Sequence, residues 1–233
     1  LMKLLALETS TENCSVALLN EDKISFKSEL APQHHAEIII PMIDDLLKES
    51  SLTKNDLDGI VLSQGPGSFT GVRIAASTAQ GLALGLDKKV ALVTSLEALA
   101  IEALADSNKT PDYVVSSIDA RMGEVYLAVY KYVNNSLELL DEERVLKPED
   151  AITLIKSLLK TDNYLLAGSG IAVLQKYGFD SDANVSADFP QAQFILGKGK
   201  ELFEEGKTVD ASQALPLYVR NEVTWKKVSE QHH

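Results

Sequence analysis

Apolar residues along this chain recur with two different periods, and the changes between them mark out its elements. Lys3–Glu8, Cys14–Leu19 and Lys23–Ser28 are short β-type runs, the last two split by the turn signal Asn20-Glu21-Asp22. Helical periodicity starts near His35 and runs to about Glu49. Ile60–Ser63 is a short apolar run closed by Gln64-Gly-Pro-Gly67, which predicts a buried strand. A long helix is predicted over about Thr70–Leu86, then a strand at Val90–Thr94 and a helix from Ser95, which can cap it, to about Ala105.

The second part echoes this order loosely. Tyr113–Asp119 and Glu124–Tyr132 are β-type runs joined by Ala120-Arg-Met-Gly123, a hairpin, with a third strand near Leu137–Leu146. Pro148 opens a helix where its missing N–H costs nothing. Tyr164–Ala167 is a strand, Gly168-Ser-Gly170 leads into a further helix, and Gln191–Glu205 is amphipathic and helical. Pro216–Lys227 carries no helix signal. Three strands in a meander followed by alternating helix and strand, occurring twice, predict an α/β chain of the two-lobed actin-like ATPase fold, a duplicated ribonuclease-H-like lobe. The expected division is residues 1–105, residues 106–215 and a C-terminal segment 216–233, with packing back on the first lobe, contact with a partner, or mobility until one arrives left as open alternatives. A doubly wound nucleotide-binding fold competes, but it expects a Gly-rich turn after the first strand, and none occurs there.

Bulk properties narrow the picture further. With 233 residues, 45% of them hydrophobic and 24% charged, the chain suits an ordinary globular protein of two lobes. The net charge of −12 argues against this chain gripping a phosphate backbone by itself, because such binding needs Lys and Arg to release counterions. The single Cys14 sits in an apolar strand and reads as a buried structural thiol. No 18-residue apolar stretch predicts a membrane span, the opening strand pattern does not read as a signal peptide, and a cytoplasmic home is expected. Leu1 before Met2 and the terminal His232-His233 read as tag remnants and are left out.

Three segments could carry chemistry. Glu8-Thr-Ser-Thr-Glu-Asn13 follows the first strand, where an actin-like fold can meet nucleotide phosphates; Glu8, Thr9 and Ser10 are its candidates, against a polar turn bonded to its own backbone. Asp119 ends a strand at the corresponding place in the second half, where a carboxylate can position Mg²⁺ or pair with Arg121. Gly65-Pro-Gly-Ser-Phe-Thr-Gly71 leads from a strand into a helix, so Gly67, Ser68 and Arg73 could meet an anion at the helix start; a tight turn is the alternative. It lacks the Gly-Lys-Ser/Thr ending of a Walker loop. His34-His35-Ala-Glu37 is not a zinc-protease motif, and no metal site is expected.

The helix over 70–86 has two apolar stripes, Val72, Ala76, Ala79, Ala83, Leu86 and, beside it, Gly71, Ala75, Thr78, Leu82, Gly85. Packing on a sheet needs one such face, and small residues permit close helix approach. The helix over 35–49 similarly places Ile38 and Met42 off its core stripe, and Pro41 is expected to kink or restart it. Either both helices are deeply buried within the chain, or they form a partner surface made of His35, Ile38, Met42, Gly71, Ala75, Thr78, Ala79 and Leu82.

Leu7-Glu-Thr-Ser-Thr-Glu-Asn-Cys-Ser-Val16, Gln64-Gly-Pro-Gly-Ser-Phe-Thr-Gly-Val-Arg-Ile74, Gln80-Gly-Leu-Ala-Leu-Gly85, Ile118-Asp-Ala-Arg-Met-Gly-Glu-Val-Tyr126 and Tyr218-Val-Arg-Asn221 closely resemble the bacterial TsaB family, formerly YeaZ. The resemblance implies a role with TsaD and TsaE in moving threonylcarbamoyl onto the tRNA adenosine beside the anticodon. It also implies TsaD and TsaE as partners, self-association through a TsaD-like surface, and tRNA met only through the complex. No cofactor of its own is expected, with ATP or ADP at a junction of the complex as an open alternative. The paralogue TsaD carries His-Leu-Glu-Gly-His, both His binding metal, where this chain has Ser95-Leu-Glu-Ala-Leu99. Leu99 has no lone pair to donate and Ser95 alone is a poor ligand, so a non-catalytic scaffold or activator is expected. An actin-like ATPase or phosphotransferase, and a metallopeptidase, are the alternatives. On the partner-surface reading, Ala79→Glu should leave the fold intact and abolish co-elution with TsaD.

Overall fold

The computed structural model describes residues 1–219 of the chain. These fall into two compact units, residues 1–98 with 189–217, and residues 99–188 with 218–219. The first unit holds strands β1 (Lys3–Glu8), β2 (Asn13–Asn20), β3 (Lys23–Leu30), β4 (Gly59–Ser63) and β5 (Lys89–Val93), and helices α1 (His35–Glu49) and α2 (Phe69–Leu86). Helix α3 (Ser95–Asp106) begins in it. The strands form one sheet in the order β3-β2-β1-β4-β5. The first three are antiparallel neighbours, while β1, β4 and β5 run parallel. This is the ribonuclease-H-like order that the alternation of periods predicts.

Both faces of this sheet are buried over its central strands, which is why those strands read as unbroken apolar runs rather than alternating ones. Leu5, Leu7, Cys14, Val16, Leu18, Ile60 and Leu62 face α1 and α2. Leu4, Ala6, Ala17, Leu19, Val61 and Ala91 face a later segment of chain. That segment is a 3-10 turn at Ala192–Ile195 followed by α6 (Leu196–Glu204), where sequence periodicity predicts one helix. It returns from the far end of the sequence to close the first unit. Ala192 N–H donates to Ser15 Oγ at 3.0 Å. Gly199 lies so close to Val61 that an added Cβ would overlap the valine methyls, and Phe203 fills the space a Cβ on Gly59 would occupy. The chain then bridges Val209 to Val90 and reaches α2, where Gln80 Nε2 donates to Ala214 O at 2.9 Å.

The second unit repeats the order. Strands β6 (Tyr113–Arg121), β7 (Glu124–Val133), β8 (Ser136–Leu146) and β9 (Tyr164–Ala167) form a sheet in the order β8-β7-β6-β9, with helices α4 (Pro148–Leu158) and α5 (Gly170–Lys176). Val115, Val125, Leu127, Val129, Ile155, Leu166 and Ile171 make its core. Among the described residues no fifth strand completes it. Instead Ser186 N–H donates to Leu166 O at 2.8 Å and Gly168 N–H to Ala187 O at 2.7 Å, a short pairing along β9. The meander-then-alternation topology thus occurs twice, which is the actin-like ATPase fold.

Two expectations change. The division at residue 215 gives way to one in which 189–217 belong with the first unit, because the apolar side of α6 matches the open face of that sheet rather than the second core. Helix α1 is one continuous element through Pro41, so of the two expected effects, a kink or a restart, the restart does not occur. Of the C-terminal segment, Arg220 onward, including Trp225, lies outside the described residues. Gly199→Val should push α6 off Val61 and lower stability by about 2 kcal/mol, the usual cost of overpacking a filled contact. A urea midpoint equal to that of the parent chain would show that α6 does not close this face.

Candidate functional site

Strands β1 and β4 and the start of α3 bring Glu8, Ser63 and Ser95 together. These residues lie at the C-terminal ends of parallel strands or just beyond them, where open α/β sheets collect their functional groups. Glu8 is fully buried. Its Oε1 accepts from Ser10 N–H at 2.8 Å and from the Ser10 hydroxyl, and its Oε2 accepts from Ser63 Oγ and from Ser95 Oγ at 3.3 Å. The hydroxyls also touch one another, Ser95 to Ser10 at 2.8 Å and Ser63 to Ser95 at 3.0 Å. Burial pushes the Glu8 carboxyl above its ordinary value, and the hydrogen bonds from Ser10, Ser63 and Ser95 pull back against that.

The glycine-rich run packs onto the same turn. Ser68 N–H donates to Ser10 O at 2.8 Å, and Thr9 Oγ1 donates to Gly71 O at 2.6 Å. A Cβ on Gly67 would overlap Ser10 O, and one on Gly71 would overlap Thr9 O. Close backbone approach, rather than positive φ, is what these two glycines supply. Ser68 caps α2 by accepting from Gly71 N–H at 3.0 Å.

Five of the seven residues proposed for an anion, Glu8, Thr9, Ser10, Gly67 and Ser68, are therefore neighbours, bonded or packed to one another. The other two are elsewhere. Arg73 places its guanidinium 4.5 Å above the Phe69 ring, and Asp119, in the second unit, accepts from Arg121 N–H at 2.9 Å. The carboxyl and hydroxyls of the turn after β1 are committed within the chain. As side chains they do not fit a Mg²⁺-nucleotide, whose phosphates and cation need groups turned outward.

Helix α3 carries the two positions at which the resemblance to TsaD implies imidazoles in that protein. Ser95 and Leu99 are one turn apart and both fully buried. The α3 N-cap is Thr94, not Ser95: Thr94 Oγ1 accepts from Glu97 N–H at 3.0 Å, which leaves Ser95 to serve Glu8. Among the described residues no group of three or more His, Cys, Asp and Glu side chains is placed to hold a metal ion. Cys14 is buried, and burial together with Glu29 and Glu8 pushes its thiol up to about 12, so it is inert.

The partner surface needs correcting. His35, Met42, Gly71, Ala75 and Ala79 are buried inside the first unit, whereas Ile38, Thr78 and Leu82 are partly exposed. The two apolar stripes of α2 diverge for a geometric reason. One stripe packs on β4, and the start of the other is covered by α1 and the turn after β1, so only its later residues reach solvent. What α2 turns outward is Leu84, 78% exposed, with Gly81 and Gly85 beside it.

With this geometry in place, comparison with known proteins is decisive. The TsaB protein of Escherichia coli is 39% identical over 97% of this chain and 98% of its own length. The chain belongs to the TsaB family. The TsaB protein of Bacillus subtilis is 32% identical over 94% of both chains. YeaZ from Pseudomonas aeruginosa superposes with a TM-score of 0.82 at 36% identity, covering 94% of this chain and all of that one. Residues 25–215 also match the family model of TsaD, tRNA N6-adenosine threonylcarbamoyltransferase. The family takes part in threonylcarbamoyladenosine biosynthesis on tRNA.

Sequence reasoning singled out Glu8 and Ser10 but did not join Ser63 and Ser95 to them. The signal was available: each is a serine at the end of an apolar run in a parallel strand order. Ala79→Glu should now cost the fold itself, by about 3 kcal/mol or more, since an unpaired carboxylate would enter the core; an unchanged melting temperature would refute this. Glu8 gives a pH test. The unfolded chain ionises it near 4.5, while the folded chain holds it protonated to higher pH. Stability is thus full below 4.5 and falls as pH rises toward the folded value. Glu8→Gln, which does not titrate, should gain on the parent as pH rises through that window; parallel stability curves would contradict it.

Proposed function

We propose that this chain is a non-catalytic subunit that docks on a TsaD-type transferase, with TsaE as a further member, and supports transfer of threonylcarbamoyl to the tRNA adenosine beside the anticodon in the cytoplasm. The observation that carries the reading is the pair Ser95 and Leu99. Where TsaD presents two imidazoles, this chain has a hydroxyl already bonded to Glu8 and Ser10 and an apolar side chain in a closed core. Neither offers what a first-row metal takes as a ligand. The shared body without the shared ligands suits a partner rather than a second catalyst.

The docking surface in this reading is the outer margin of α1 and α2. Ile38, Ile74, Thr78 and Leu82 are partly exposed along it, and Gly81 and Gly85 leave room for a second helix to approach closely. Chains built on one body commonly pair through corresponding surfaces. A net charge of −12 leaves the grip on tRNA to other subunits.

Leu82→Arg tests this without breaching the core, because Leu82 is only partly buried. It should melt close to the parent, weaken binding to the transferase by about 2 kcal/mol or more, and lower modification in a reconstituted reaction to the same degree. Undiminished co-elution would retire this surface. If the isolated chain modified tRNA as fast as the assembled system, the non-catalytic reading itself would fall.

A further inference from the structure

The contacts around Glu8 close on themselves. Glu8 Oε2 meets Ser63 Oγ, Ser63 Oγ meets Ser95 Oγ at 3.0 Å, Ser95 Oγ meets Ser10 Oγ at 2.8 Å, and Ser10 Oγ returns to Glu8 Oε1. Each of these four contacts needs one hydrogen. A serine hydroxyl donates only one, so the three serines fill three of the four. An ionised Glu8 has none to add, and one contact is then left as lone pair against lone pair. A protonated Glu8 supplies the fourth. Its Oε2–H donates to Ser63, Ser63 to Ser95, Ser95 to Ser10 and Ser10 to Oε1, so every hydroxyl of the ring donates once and accepts once.

The surroundings favour the same state. Glu8 is fully buried, and among the described residues its bonds come from Ser10, Ser63 and Ser95, with no cation. Two titratable groups reach this turn from neighbouring elements. Cys14 of β2 has its thiol pushed up to about 12 by burial, Glu29 and Glu8, and His35 of α1 places Nε2 2.5 Å from Thr11 O. From α2, Arg73 lies over Phe69 instead, while β4 and α3 meet Glu8 through the hydroxyls of Ser63 and Ser95. A buried carboxylate with no counter-charge is costly, so the hydrogen is retained.

The ring also holds the start of α2. Ser95 N–H donates to Gly65 O at 2.8 Å, and Ser10 O accepts from Ser68 N–H at 2.8 Å. Two members of the ring therefore grip both ends of residues 65–68, and Ser68 in turn caps α2 by accepting from Gly71 N–H. We propose that Glu8 carries a proton in the folded chain, closing a ring of four hydrogen bonds, and that loss of this proton opens the ring and loosens the start of α2. Because α2 belongs to the docking margin, the ring is then a proton-sensitive control on docking; this last step rests on the functional reading above.

Infrared spectra and amide exchange of the full chain test this. At about pH 6, the difference between the parent and Glu8→Gln should show the carbonyl stretch of one protonated carboxyl group, which should fade as pH rises. Over the same range the amides of Ser68, Gly71 and Val72 should come to exchange about tenfold faster in the parent than base catalysis alone provides. Glu8→Gln can donate to Ser63 and accept from Ser10 at every pH, so its amides should follow base catalysis alone. Should that variant fail to fold, Ser63→Ala, which lacks one link throughout, should exchange fast at these amides even at low pH. A missing carboxyl band, or amides at the start of α2 that show no response beyond base catalysis, would overturn the proposal. Affinity for the transferase should fall over the same range in the parent and hold steady in Glu8→Gln. Docking that ignores pH while the amides respond would overturn the α1–α2 margin and leave the ring standing.

Discussion

The first unit is organised around a carboxyl group that water cannot reach. Glu8 ends β1, and its two oxygens take the Ser10 amide and the hydroxyls of Ser10, Ser63 and Ser95, drawn from three separate stretches of chain. A buried acid left unpaired would cost several kcal/mol. The ends of β1 and β4 and the start of α3 are therefore held in one arrangement, and the neighbouring backbone contacts follow from it. Gly67 and Gly71 let α2 approach the turn at Thr9 and Ser10, and Ser68 closes that approach with a bond to Ser10 O.

This arrangement also limits what the turn after β1 can offer a ligand. The turn after β1 is the place where an actin-like ATPase fold can meet phosphates. Here its hydroxyls and its carboxyl are spent on one another. The start of α3 carries a serine that completes the Glu8 cluster and a leucine that is fully buried. In the non-catalytic reading proposed above, such residues at Ser95 and Leu99 keep the scaffold without offering a metal its ligands.

The first unit turns apolar residues outward on the α1–α2 margin and along β3. The α1–α2 margin offers small and aliphatic residues suited to helix packing, and the β3 edge offers backbone groups with an apolar row beside them.

The amino-acid sequence by itself determined the order of elements. Period-two and period-3.6 runs, broken by Gly65-Pro-Gly67, Pro148 and Gly168-Ser-Gly170, place nearly every strand and helix within a residue or two, because these signals act over a few neighbours. Tertiary structure alone decided which apolar stripe of α2 is core, since Ala75 and Ala79 look like surface candidates until α1 and the sheet are set against them. It also decided that 189–217 close the first unit, and that Ser63 and Ser95 belong with Glu8. Those three outcomes depend on contacts between residues 32 or more positions apart, up to 177 in the case of Ser15 and Ala192, and no local period records them.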